Sequence, residues 1–167
     1  LIPSSPFGQV DSAIGKGLSV GAAGLIPPTV VVTDAFEEHT IDGIRVNFQN
    51  TPGTEAPAEM NAWFPDQKVF WAAENITATI HNVYTLRGAL VRDALAWSKQ
   101  INAALYEFGL DAEVMVSSHN WPRWGNERIQ EVMRTQRDAY ANLNNQVLNL
   151  ANQGVTINEI HNEYKVP

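Results

Sequence analysis

The segment from Asn126 to Asn152 constrains the fold more than any other part of the chain. Ile129, Met133, Gln136, Tyr140, Leu143, Val147 and Leu150 fall on one side at helical spacing, and Gly154 stops the run. A helix this long with one apolar stripe must lay that stripe on something. The preceding residues supply candidates. Thr29 to Asp34 is a β-branched run and reads as a strand, and Ile44 to Gln49 alternates apolar and polar residues like another. Glu59 to Phe64 and Lys68 to Ala73 read as strands of a hairpin joined by Pro65-Asp66-Gln67, and Thr51-Pro52-Gly53-Thr54 is turn chemistry. Gly88 to Phe108 carries Leu90, Ala94, Trp97, Ile101, Leu105 and Phe108 at helical spacing, with Gly109 as its stop. Glu113 to Ser117 reads as a strand, Ser118 to Gly125 as a loop, and Thr156 with Glu159 as a capping box for a further helix. Strands interspersed with helices predict an α/β or α+β fold.

Composition narrows the function. Eighteen acids against eleven bases give a net charge of −7 over 167 residues, with no basic run, so nucleic acid is not an expected partner. The longest apolar stretch, Leu18 to Val32, is broken by glycines and by Pro27-Pro28, so no stable membrane insertion is expected. Cysteine is absent, which excludes a disulfide framework and a thiolate site. The chain starts at Leu1-Ile2-Pro3 with no visible signal peptide and stops just after a helix begins, so it reads as the middle of a longer protein. Residues 1–28 read as a glycine-rich loop. Gly15-x-Gly17 lacks the third glycine of a dinucleotide fingerprint, and no Gly-Lys-Ser/Thr is present, so a surface or substrate-side loop is the expectation.

Three polar residues stand at ends of the apolar elements: Glu55 after the strand and turn, Glu74 after the strand Lys68–Ala73, and His119 after the strand Glu113–Ser117. Strand ends are where layered α/β proteins build sites. Carboxylates there need a partner or a cation, and two carboxylates with an imidazole suit zinc. Spacing alone favours Glu55 as a turn cap, Glu74 as a helix cap and His119 as a satisfied loop histidine. Asn82 and Arg87, in a segment read as opening a helix, could face an anion through amide and guanidinium donors. A structural pair of Arg87 with Asp93 or with a glutamate is the competing reading. His39 and His161 read as surface residues. His81 resembles His119 in following an apolar element.

Taken together, several strings resemble one family. They are Thr51-Pro-Gly-Thr-Glu-Ala-Pro-Ala-Glu-Met60, Ala73-Glu-Asn75, His81-Asn-Val-Tyr-Thr-Leu-Arg-Gly-Ala-Leu-Val-Arg-Asp93, Ser118-His-Asn-Trp-Pro-Arg-Trp-Gly125, and Gln136-Arg-Asp-Ala-Tyr140. In this order they resemble the alkylsulfatases of the metallo-β-lactamase superfamily, the SDS-hydrolase type, from about Pro28 to Gly154. The resemblance implies the second half of a metallo-β-lactamase-like αββα sandwich over residues 1–125. Residues 126–167 would begin a helical dimerisation region, and the protein would be a homodimer.

It also implies a dinuclear zinc hydrolase that cleaves alkyl sulfates to alcohol and inorganic sulfate. Glu55, Glu74 and His119 fall on metal-ligand positions, with Glu74 bridging. Asn82 and Arg87 fall on the sulfate-binding positions. An H-x-H-x-D-H loop with the remaining ligands is expected upstream of Leu1, and the location is expected to be periplasmic or secreted. Asn120 departs from the second histidine of many members. Another hydrolase of the same fold, acting on a lactam, thioester or phosphodiester, is an alternative expectation. So is a non-catalytic piece that keeps only scaffold and dimer contacts.

Overall fold

The computed structural model describes residues 21–22, 24–77, 79–85 and 88–167. The chain divides into two units at Val31 and Val32, and the second, Val32–Pro167, carries the sheet and the helices. Of the loop read over residues 1–28, residues 1–20 and 23 lie outside the described residues.

Among the described residues, six strands form one sheet in sequence order. They are β1 (Phe36–Ile41), β2 (Ile44–Asn50), β3 (Met60–Phe64), β4 (Val69–Trp71), β5 (Val114–Val116) and β6 (Arg123–Trp124). Every neighbouring pair is antiparallel except β4 and β5. The β1–β2 hairpin turns at Asp42-Gly43, both at positive φ (52° and 80°), the conformation that the right-handed twist of a two-residue hairpin demands. The parallel pair needs a crossover, and residues 72–113 supply it. That crossover carries α1 (Ala94–Ala104), which runs into a π-helical turn, Leu105–Gly109. The long helix α2 (Asn126–Asn152) follows β6, and the short α3 (Ile160–Glu163) ends the fold.

The core lies between one face of the sheet and the helices. Trp63, Phe70 and Met115 point from β3, β4 and β5 onto Trp97, Ile101 and Phe108 of the crossover and Ile129, Met133 and Tyr140 of α2. Gly109 packs closely on α2: a Cβ there would stand 2.8 Å from Met133 Sδ, so a side chain at this position would make Met133 shift. The result is a mixed α/β architecture, one sheet with a helical layer on one face. Among the described residues no helix is long and apolar enough to cross a membrane.

Four expectations need correction. Thr29–Asp34 is not a strand. Val30 and Val31 are exposed. The N–H groups of Thr33 and Asp34 instead donate to Glu37 Oε1 at 2.5 and 2.8 Å, a turn that delivers the chain into β1. The first helix begins at Ala94 rather than Gly88, because Asp93 is its N-cap and accepts from Ala96 N at 2.9 Å. The described residues of Ile80–Leu90 are irregular and open no helix. A two-residue strand, β6, also interrupts the Ser118–Gly125 loop.

Candidate active site

Topology brings the site residues together. Parallel strands place their C-terminal ends at one edge of a sheet, so the segments leaving β4 and β5 emerge side by side. Two backbone bonds carry the pairing past the strands, Ala72 N to Val116 O (2.8 Å) and Ser118 N to Ala73 O (2.9 Å). Glu74 and His119 follow directly. The antiparallel neighbours bring the C-terminal end of β2 and the N-terminal end of β3 to the same edge, where Thr51 N bonds Glu59 O at 3.0 Å. The Glu55 turn hangs from that end. Ala73 and His119 both adopt positive φ (46° and 65°), a conformation that costs a residue bearing a Cβ about 1 kcal/mol and that concentrates at functional sites.

A cavity of about 980 Å³ opens at this edge, lined by Glu55, Glu74, His81, Asn82, Tyr84, Thr85 and His119. Glu74 is its centre. One carboxylate oxygen lies 3.0 Å from His81 Nε2 and the other 3.1 Å from His119 Nε2. Glu55, Glu74 and His81 each offer a ligand atom, all within 4.8 Å of one another. Behind them Glu59 accepts from Glu74 N at 3.0 Å. Burial raises the Glu59 carboxyl above its usual range, the Glu74 N–H opposes this, and the charges of Glu55 and Glu74 add to the rise. Among the described residues, three carboxylates thus gather against one guanidinium, Arg92, which pairs with Glu55. Like charges this close call for a cation, and carboxylate oxygens with imidazole nitrogens are a donor set that binds one.

The helical layer steadies this wall. Tyr140 on α2 brackets His81, accepting from its N–H at 3.1 Å and donating to its C=O at 3.3 Å. Burial raises the Tyr140 hydroxyl pKa above its ordinary value, so the phenol stays a donor. The Tyr140 ring stacks on Trp97 at 4.5 Å, and the His81 ring packs on Trp97 at 5.7 Å. Gln136 holds the adjacent loop by bonding both Thr77 N and Thr77 O. The string Gln136 to Tyr140 is therefore a clamp on the site loop from outside it.

Of the residues singled out in the sequence, Glu55, Glu74, His119 and Asn82 all line the cavity. Arg87 lies outside the described residues. Glu74 touches His119 directly, whereas Glu55 is turned onto Arg92. Sequence reasoning did not assign His81, Glu59 or Arg92 to the site. Only His81 carried a signal, its place after an apolar element. The sequon Asn75-Ile76-Thr77 is excluded as a glycan acceptor, because Asn75 is buried and bonded to Thr51 and Asn61.

This fold, with a metal-competent cluster at the sheet edge, is of the metallo-β-lactamase type. A metallo-β-lactamase family protein from Thermus thermophilus superposes on 71% of the chain and 38% of its own with a TM-score of 0.50 at 18% identity, a likeness of fold alone. No family model matches the chain. More particularly, it is homologous over its whole length to alkylsulfatases. It is 45% identical over all 167 residues to a linear primary-alkylsulfatase of a Pseudomonas species. The stereoselective inverting sec-alkylsulfatase Pisa1 from Pseudomonas sp. superposes on 86% of the chain, and 23% of its own, with a TM-score of 0.83 at 44% identity. The chain spans about a quarter of the length of the curated relatives it matches.

Proposed function

We propose that this chain forms one wall of the active site of a zinc-dependent hydrolase that cleaves alkyl sulfates to alcohol and inorganic sulfate. The observation that carries the reading is Glu74 held between His81 and His119 at the edge where β4 and β5 end. The similarity to alkylsulfatases supports the substrate class.

Glu55, Glu74 and His119 would hold two zinc ions together with an H-x-H-x-D-H loop from elsewhere in the protein. His81 is within reach of the same position. When bound, zinc supplies a hydroxide near neutral pH by lowering the pKa of water. This chain's residues do the rest. Asn82 presents its amide NH2 to a sulfate oxygen, since its Oδ1 already accepts from Arg92 at 2.6 Å. Arg87 would hold the other oxygens and offset the charge that grows as the ester bond breaks. Homodimerisation through the helical region 126–167, with residues 1–125 as the catalytic part, and a periplasmic or secreted location belong to the same proposal. Light scattering and fractionation test these.

The test is hydrolysis of n-octyl sulfate and n-octyl phosphate by the full-length chain, with and without a chelator. Sulfate release that stops with chelation and returns with zinc is the expected result. Preference for the phosphate ester, or turnover indifferent to chelation, would overturn the reading.

A further inference from the structure

Arg92 is a charged group behind the cavity, bonded to two of its lining residues, Glu55 and Asn82, and the chemistry above does not use it. It lies between the Glu55 turn and the Asn82 loop with its side chain 4% exposed. Nε donates to Glu55 O at 2.6 Å, and Nη2 donates to Glu55 Oε1. Nη1 donates to Asn82 O at 2.8 Å and to Asn82 Oδ1 at 2.6 Å, and lies 3.4 Å from His81 Nδ1. The Arg92 backbone is fixed as well, with its N–H on Val83 O at 2.9 Å.

The direction of these bonds matters. A guanidinium has donors only, so Asn82 must turn its amide oxygen toward Arg92. The NH2 group is then the end left for a ligand in the cavity. One carboxylate oxygen of Glu55 is likewise taken by Arg92, while Glu55 still lines the cavity. Burying an ion pair this deeply is no gain over apolar residues of the same volume. A planar fork that reaches two separate segments at once does supply geometry that apolar packing cannot.

We propose that Arg92 is a positioning residue. It sets the Glu55 carboxylate on the cation side of the cavity and the Asn82 amide on the oxyanion side, and so couples metal affinity to substrate affinity. This rests on the reading of the cavity as a metal-dependent sulfate ester site. Lysine cannot substitute, because a single ammonium has no fork.

The test compares the full-length wild type with Arg92→Lys, Asn82→Ala and the double variant. Zinc per chain is measured against graded chelator, KM and kcat for n-octyl sulfate at saturating zinc, and folding by circular dichroism. Arg92→Lys is expected to keep the wild-type spectrum, release zinc at lower chelator, and raise KM about tenfold, the scale of one charge-assisted hydrogen bond. In the Asn82→Ala background, Arg92→Lys should still weaken zinc binding but raise KM no further. KM effects that multiply in the double variant would overturn the proposal, as would an Arg92→Lys enzyme with unchanged zinc and KM. If Arg92→Lys does not fold, Arg92→Gln, which buries no charge, should show the same split. Failure of both to fold makes Arg92 structural and overturns the proposal. A wild type that retains no zinc and leaves octyl sulfate intact removes the site reading and the Arg92 assignment with it. A wild type that passes both while Arg92→Lys matches it removes only the latter.

Discussion

Asn75 sits beside Glu74 and carries no proposed chemistry, yet its loss should be costly. Its side chain is buried, and Nδ2 donates to Thr51 Oγ1 at 3.0 Å and to Asn61 Oδ1 at 2.8 Å. Asn61 Nδ2 passes the chain on to Gln49 Oε1 at 2.9 Å, and Gln49 Nε2 reaches Gln100 O on α1 at 3.0 Å. This network ties the ends of β2 and β3 to the segment after β4 and to the helical layer. In Asn75→Ala, Asn61 Oδ1 becomes a buried acceptor without a donor, at about 1–3 kcal/mol. Thr51 loses one bond but keeps its donation to Glu59 O, at about 1 kcal/mol. The sum is about 3 kcal/mol. Asn75→Asp should cost at least as much, since it puts an acceptor against Asn61 Oδ1. Urea unfolding followed by tryptophan fluorescence measures this, with Trp97 as a local reporter because its Nε1 donates to Asn75 O at 2.9 Å. A loss below about 1 kcal/mol for Asn75→Ala, or an Asp variant more stable than the Ala variant, would refute the reasoning.

Three further outcomes follow from the geometry. Phe108→Ala should lose about 3–5 kcal/mol of unfolding free energy in the same assay, because the ring is buried and packs on Phe36, Trp63 and Phe70 at 5.7–6.0 Å. Tyr140→Phe should keep the stack on Trp97 but leave His81 N–H without its acceptor. The expected result is a loss of about 1–2 kcal/mol with faster amide exchange at His81. The N–H groups of Asp34 and Thr33, with His39, lower the Glu37 carboxyl pKa from an ordinary 4.5 to about 2. A depressed folded value stabilises above the unfolded pKa, so the turn before β1 should hold above pH 4.5 and loosen as pH falls toward 2. A carboxyl-carbon NMR titration checks it, and a Glu37 midpoint near 4.5 would contradict it.

The periodic parts of the fold were legible. The bounds of α2, the β3–β4 hairpin, β2 and β5 follow from spacing and stop signals, because local pattern and tertiary packing agree there. The strand misread at Thr29–Asp34 shows that β-branched content without a pairing partner is not enough. The stronger signal lay just after it, in Asp42-Gly43 between two alternating runs. The early start read for α1 had a different cause. Leu90 fits the helical period, but Asp93 caps the helix and Arg92 is drawn onto Glu55 and Asn82. Glu74 and His119 were legible because strand ends are exposed to chemistry. That they meet depends on β4 and β5 being parallel neighbours, which no local pattern encodes. Glu59, His81 and Arg92 join the cluster only through that topology and through the hold of Gln136 and Tyr140 from α2.

The most direct test of the account is the zinc content and octyl sulfate turnover of full-length Glu74→Ala beside the wild type, with circular dichroism to show that both are folded. The expected result is a folded variant that has lost both most of its zinc and its turnover, because Glu74 lies at the centre of the cavity between His81 and His119. A folded variant that binds zinc and hydrolyses the ester like the wild type would contradict it.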